Sequence, residues 1–246
     1  NEMMDRLESA FESQRNFVND AGHELRTPIT IIQGHLELMG DDPQEREETV
    51  ALVLDELDRM SRLVDDLVLL AKTERVDFLR LEEVDAAAFM QEMYLKATAL
   101  SSDRNWSLDN SASGLMRVDR QRITEAMMNL AENAVQHTMP GNTITLGSGL
   151  QNNKVLFWVQ DKGEGIAPTE QKRIFERFAR VTNTRRRSDG SGLGLAIVKA
   201  IAEAHGGHVM LQSQVGTGST FTLVIPLKPS AHLSHSSVHH VQNSRR

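Results

Sequence analysis

"GSGLGLAIVKAIAEAHGG", Gly190–Gly207, is the stretch whose reading decides the fold. Its first half is close to the G-x-G-x-x-G of dinucleotide-binding sheets. That pattern needs glycine at position 195, where Leu195 stands, and it needs a preceding strand, where "TNTRRRSD" stands. The better reading is a glycine-rich lead into an amphipathic helix closed by Gly206-Gly207. The first N–H groups of such a helix, and its dipole, can hold phosphates. The run Arg185, Arg186, Arg187 just before it reads either as a solvated loop or, beside a phosphate site, as a mobile lid.

The neighbouring segments say which sheet this helix joins. "HVMLQSQV" and "TFTLVIPL" flank the turn "GTGS". Upstream, "NTITLGSGLQ" and "KVLFWVQD" alternate around Asn152-Asn153, a hairpin signal. Asp119 suits the N-cap of a helix through His137. "NWSLDN" and "LMRVD" are short and strand-like, and Asp85 to Leu100 has a helical pattern. Strands in runs beside helices predict α+β architecture, a mixed sheet with helices on one face. Residues 229–246 are rich in Ser and His and poor in apolar residues, which predicts disorder. His232, His235, His239 and His240 have metal-like spacing there, but no acid or cysteine joins them.

The N-terminal third has a different texture. Leu7, Phe11, Val18, Ala21, Leu25, Ile32, Leu36 and Met39 recur at helical spacing from about Glu2, until "GDDP" (Gly40–Pro43) stops the helix. Gln44 to Glu74 repeats the pattern, with a seam through Val50, Val53, Leu57, Met60, Val64, Leu67 and Ala71. Two long helices with a tight turn make a hairpin. An apolar stripe this wide is buried either against a second copy, giving a four-helix bundle, or against the rest of the chain; the first is expected.

Composition narrows the classes. The chain has 246 residues, no cysteine and a formal net charge of −7. Thiolate chemistry and disulfides are excluded, and nucleic acid is not expected as a partner. No run reaches the ~18 apolar residues of a membrane-spanning helix. The chain begins at Asn1, already inside an amphipathic pattern, so a fragment of a longer protein is expected, with any membrane anchor in the missing part.

Three constellations carry chemistry. Asn129, Asn133 and His137 are four apart on one helix edge, beside the apolar stripe Ile123, Met127, Leu130 and Ala134. They read as surface polars and caps, or as amide oxygens for a magnesium ion whose other ligands are phosphates. "DKGEGI" (Asp161–Ile166) is first a turn. A carboxylate at a strand end can also accept from the exocyclic amino group of adenine, with Gly163 and Gly165 allowing close approach. "FVNDAGHELRTP" (Phe17–Pro28) sets His23, Glu24 and Thr27 in an amphipathic helix and then a proline.

In this order the segments resemble the sensor histidine kinases of two-component systems. "HELRTP" is similar to their H box. Asn129 and Asn133 resemble the N box, and Asp161, Gly163 and Gly165 the first glycine box. Phe175 and Phe178 resemble the F box. Gly190, Gly192 and Gly194 resemble the second glycine box, and Gly216 and Gly218 the third. The resemblance covers roughly residues 5 to 228.

The resemblance implies an α+β multidomain protein: an antiparallel helical hairpin dimerising into a four-helix bundle, then a Bergerat-type α/β sandwich that binds ATP. It divides the chain into 1–15, the end of a HAMP-like signalling helix; 16–75, the dimerisation and phosphotransfer hairpin; 76–83, a linker; 84–228, the ATP-binding domain; and 229–246, the tail. It implies His23 as phosphoacceptor, Glu24 as the adjacent acid, and Thr27 as a residue for dephosphorylating the partner. It also implies Asn133 as magnesium ligand and Asp161 as the adenine-reading acid. Asn129, His137, Gly163, Gly165, Gly190, Gly192, Gly194, Leu195 and Thr220 would line the nucleotide. Two departures stand out: Gln136 where many relatives carry Lys, and His137 where many carry Tyr. Arg177, Arg180 or the Arg185–Arg187 run are the candidates to compensate. The implied partners are a second copy through residues 1–75 and a response-regulator receiver domain. The implied setting is the cytosolic portion of a membrane-anchored sensor.

Elementary chemistry fits that reading. A neutral imidazole is a good nucleophile near pH 7. Glu24 lies about 100° round the helix and can reach one ring nitrogen. Thr27, at i+4, shares the face of His23. Pro28 removes the N–H that would bond the carbonyl of Glu24, which predicts a kink or loosened turn beside His23. Two rival readings are an ATP-gated conformational ATPase of the Bergerat superfamily and a catalytically inactive dimeric scaffold.

Overall fold

The computed structural model describes residues 2–73, 75, 77–110, 112–179 and 191–227. Helices α1 (Glu2–Glu37) and α2 (Pro43–Lys72) form the expected hairpin. α2 begins one residue earlier than its apolar pattern. Asp42 caps it by accepting from Gln44 N, and Pro43 fills the first turn, where its missing N–H costs nothing. α1 runs on through Pro28, so the loosening expected beside His23 is a lost hydrogen bond within an uninterrupted helix. Much of the hairpin's apolar stripe is uncovered: Val18, Val50, Leu57 and Val64 are all exposed. No helix among the described residues is long and apolar enough to cross a membrane.

The rest is a two-layer sandwich. β2 (Asn105–Asn110), β4 (Thr143–Gln151), β5 (Lys154–Asp161), β7 (Gly218–Pro226) and β6 (His208–Gln214) form one sheet, in that spatial order. β2 and β4 are parallel and the other pairs antiparallel. α3 (Ala86–Thr98), α4 (Arg120–Gln136) and α5 (Gly194–Ala204) cover one face. Alternation sends Val155, Phe157 and Val159 of β5 and Phe221, Leu223 and Ile225 of β7 into the core. There they meet Met93, Met127 and Leu130, and Phe89 packs edge-on to Phe157 at 5.8 Å. The core is largely aliphatic and rich in methionine, with Met90, Met93, Met116 and Met127 all buried.

One strand departs from the sequence reading. Glu82–Asp85 is β1, antiparallel to β3 (Leu115–Val118), within what reads as linker and the start of a helix. Asp85 ends β1 and caps α3 by accepting from Ala88 N.

Buried Asp119 fastens the linker. Its side chain accepts from Arg122 N, capping α4, and from Arg80 N at 2.7 Å. Its own N–H donates to His205 Nε2 at 3.1 Å, while His205 Nδ1 donates to the Ile201 carbonyl. This ring must be neutral, and burial pushes its pKa below the ordinary histidine value of 6.5. A depressed pKa means the unfolded chain binds the proton first. The stability from neutral His205 is therefore complete above 6.5 and is lost as pH falls toward the folded value. His205→Gln is expected to melt lower at neutral pH and to lose less than the parent on acidification. Thermal melts of both proteins across that range check it, and parallel curves would count against it.

Candidate active site

The end of β5 and the turn between β6 and β7 make one wall. Buried Asp161 accepts from Gly163 N at 2.8 Å and Ser219 N at 3.3 Å, both on Oδ1. Oδ2 accepts from no group among the described residues. Burial raises the pKa of this carboxyl, against the two N–H groups and His137, which lower it. A Cβ on Gly163 would sit 2.1 Å from the His137 carbonyl oxygen, and one on Gly218 would sit 2.1 Å from the Asp161 carbonyl oxygen. Both contacts forbid any side chain, and they lock the loop Lys162–Gly165 between α4 and β7. Gly165 lies against the Gln214 carbonyl, and Gly216 N donates to Glu164 O.

α4 makes the facing edge. Asn133 is half-buried there. His137, the C-cap, places Nδ1 3.3 Å from Glu164 Oε1 of the glycine loop. Asn129 behaves differently: its Nδ2 donates back to the Glu125 carbonyl, and its Oδ1 fills the space a Cβ on Gly194 would need. It ties α4 to the start of α5. Leu195, in the first turn of α5, packs against the core. Gly192 takes φ +72°, and its carbonyl accepts from Phe178 N at 2.9 Å. Gly190, Arg180 and Arg185–Arg187 lie outside the described residues.

Two of the expected residues have other neighbours in this structure, although Thr220 lines one hollow with Asp161. Thr220 is paired with Gln160 and Gln212 on the sheet face away from the helices. Alternation puts Ser219, not Thr220, beside Asp161, where its Oγ is 2.9 Å from Ser213 Oγ. The guanidinium of Arg177 lies 4.7 Å above the Phe17 ring of α1, a cation–π contact to the hairpin.

On the hairpin, His23, Arg26 and Thr27 line an indentation of ≈ 340 Å³ with Thr30 and Ile31. Thr27 Oγ1 bonds the His23 carbonyl at 3.4 Å, a long contact that leaves the hydroxyl easily redirected. Arg26, which had no role in the sequence reading, brings a cation to the same hollow. A second hollow of ≈ 330 Å³ lies under the β6–β7 turn, lined by Asp161, Ser213 and Gly218 among others, with no α4 residue.

Residues 13–75 match the His Kinase A (phospho-acceptor) domain, and residues 118–229 match the histidine kinase-, DNA gyrase B- and HSP90-like ATPase domain. The chain belongs to the sensor histidine kinases. It is 34% identical over 231 residues to the signal transduction histidine-protein kinase ArlS of Staphylococcus haemolyticus, covering 91% of this chain and 51% of that protein. It is 33% identical over 223 residues to the sensor protein SrrB of Staphylococcus aureus, covering 87% of this chain and 38% of that protein. This sensor kinase chain thus spans about half or less of the length of those relatives. Among solved structures, the histidine kinase AdeS of Acinetobacter baumannii superposes with a TM-score of 0.64 at 28% identity, covering 83% of this chain and 98% of that one. Full-length ShkA, solved in complex with AMPPNP, gives 0.66 at 26%, covering 90% and 46%. The hairpin and the α/β sandwich are those of the family.

Proposed function

We propose that the chain is an ATP-dependent protein-histidine kinase of a two-component system. The observation that carries it is the pairing on one chain of an open His23, in a hollow with Arg26 and Thr27, and a buried carboxylate with one free oxygen between glycine loops. The ShkA complex with AMPPNP supports a nucleotide as substrate. Asp161 Oδ2 accepts from the adenine amino group, and the loop held by Gly163 and Gly218 shapes the base pocket. The N–H groups at the start of α5 face phosphate. Asn133 offers a single hard amide oxygen, a donor set that suits magnesium when phosphates and water complete the shell. Magnesium supplies charge neutralisation on the transferring phosphoryl group. His23 attacks the γ-phosphorus in line, the bond to the β–γ bridging oxygen breaks and ADP leaves, while Glu24 holds the other ring nitrogen and receives its proton.

The exposed hairpin stripe supports a second copy as partner, giving a four-helix bundle through residues 1–75. From His23 the phosphoryl group passes to an aspartate on a response-regulator receiver. Residues 1–15 continue a signalling helix from a membrane-anchored parent.

The test is incubation with γ-labelled ATP and magnesium. Label on the protein should be acid-labile and base-stable, the signature of a phosphoramidate; no label, or acid-stable label, refutes the proposal. Thr27→Ala is expected to keep label uptake and lose dephosphorylation of the partner, because only the second reaction needs an oriented water. Equal loss of both activities would remove that role.

A further inference from the structure

The two domains touch at the residues that bracket the segment between the F box and the second glycine box. On one side, Phe178 packs on Phe17 of α1 at 6.4 Å, with Arg177 over the same ring. On the other, Ser191 Oγ donates to Asp66 Oδ2 of α2 at 3.1 Å. The same Oγ accepts from Leu193 N and so helps to start α5. Phe178 and Gly192 are bonded backbone to backbone, so both contacts act on one rigid point. Phe178 holds φ +61°, a costly conformation for a bulky residue, kept by that bond and by Phe17. The hollow at His23 is lined only by hairpin residues, so this docked arrangement leaves the phosphoacceptor uncovered by the catalytic domain.

We propose that Asp66 and Ser191 form a proton-sensitive clasp between hairpin and catalytic domain, which acid tightens. Docking brings Asp66 into an acidic neighbourhood: Glu125 and Glu132 from α4, and Asp65 from its own helix. Positive charge there is already engaged: Arg122 pairs with Glu125, and Arg62 of α2 acts on Glu132. The turn leading into α5 contributes the Ser191 hydroxyl, while Lys199 and Glu203 of α5 pair with each other. Half-burial of Asp66, then these carboxylates, lift its pKa from 3.8 to about 6, against the Ser191 hydrogen bond that lowers it. The docked state therefore holds the proton better than the undocked one. Its gain is complete below the ordinary carboxylate value and is lost as pH rises through about 6.

The chain has no cysteine, so paired spin labels can be placed at will. Cysteines at exposed Glu48 and Lys154 would report docking, with labelled chain diluted in unlabelled chain and no nucleotide present. Going from about pH 7.5 to about pH 5.5 should raise the docked-to-open ratio about fourfold. Asp66→Asn should be docked and flat with pH. Ser191→Ala should be less docked, most of all at the higher pH, where the hydroxyl faces an ionised carboxylate. A parent ratio that ignores pH, an Asp66→Asn response equal to the parent's, or a Ser191→Ala ratio equal to the parent's overturns the clasp. Phosphoryl transfer plays no part in this readout, so its outcome is separate from that of the kinase proposal.

Discussion

Glutamine at position 23 is expected to abolish label uptake from γ-labelled ATP while leaving nucleotide affinity unchanged. His23 is exposed on α1, away from the core, so the substitution removes no packing. It removes the nucleophile: an amide nitrogen has its lone pair delocalised and does not attack phosphorus at neutral pH. Among the described residues, two other histidines are held quite differently. His137 is held against Glu164, and His205 is buried with both ring nitrogens bonded. Phosphoryl transfer draws its catalysis from position and charge, so an intact ATP site could not substitute for the missing ring. Retained acid-labile label in His23→Gln would mean another residue is the acceptor. Unchanged binding of a fluorescent ATP analogue would show that the loss is chemical.

Asn at position 161 should weaken ATP binding about a hundredfold, the equivalent of ~3 kcal/mol for a buried, charge-assisted hydrogen bond. Gly163 N and Ser219 N both donate to Oδ1. An asparagine keeps its oxygen on those two donors, which turns its NH2 toward the position of Oδ2. Two donors would then face each other across the adenine amino group. The same swap puts a donor where a 6-oxo purine has an acceptor, so the preference for ATP over ITP should shrink or reverse. Calorimetric titration of both nucleotides checks this. Unchanged ATP affinity in Asp161→Asn would remove the adenine-reading role.

What could be read in advance follows the range of the forces. α4, α5 and the β4–β5 hairpin carry their signals locally, in a capping Asp119, a 3.6 period, and Asn152-Asn153 at positive φ. β1 was not legible because "EEVD" has one apolar residue and its partner strand lies at Leu115–Val118. Ser219 was within reach. Counting back in twos from buried Phe221 lands on it, whereas Thr220 shares the outer face with Thr222. Arg177 and the Asp66–Ser191 bond were out of reach, since both depend on how two domains meet. Asn129 stood open between cap and ligand, and its bond to Glu125 and fit under Gly194 give it a tie between helices.

The backbone bond from Phe178 to Gly192 has a consequence in polymer terms. It pins the two ends of the intervening segment together, so the sheet and α5 do not depend on how far the chain travels between them. Closing a flexible loop costs entropy that grows only with the logarithm of its length, about 0.6 kcal/mol for each doubling. The fold can therefore accept a longer or shorter insertion between these two residues at little cost.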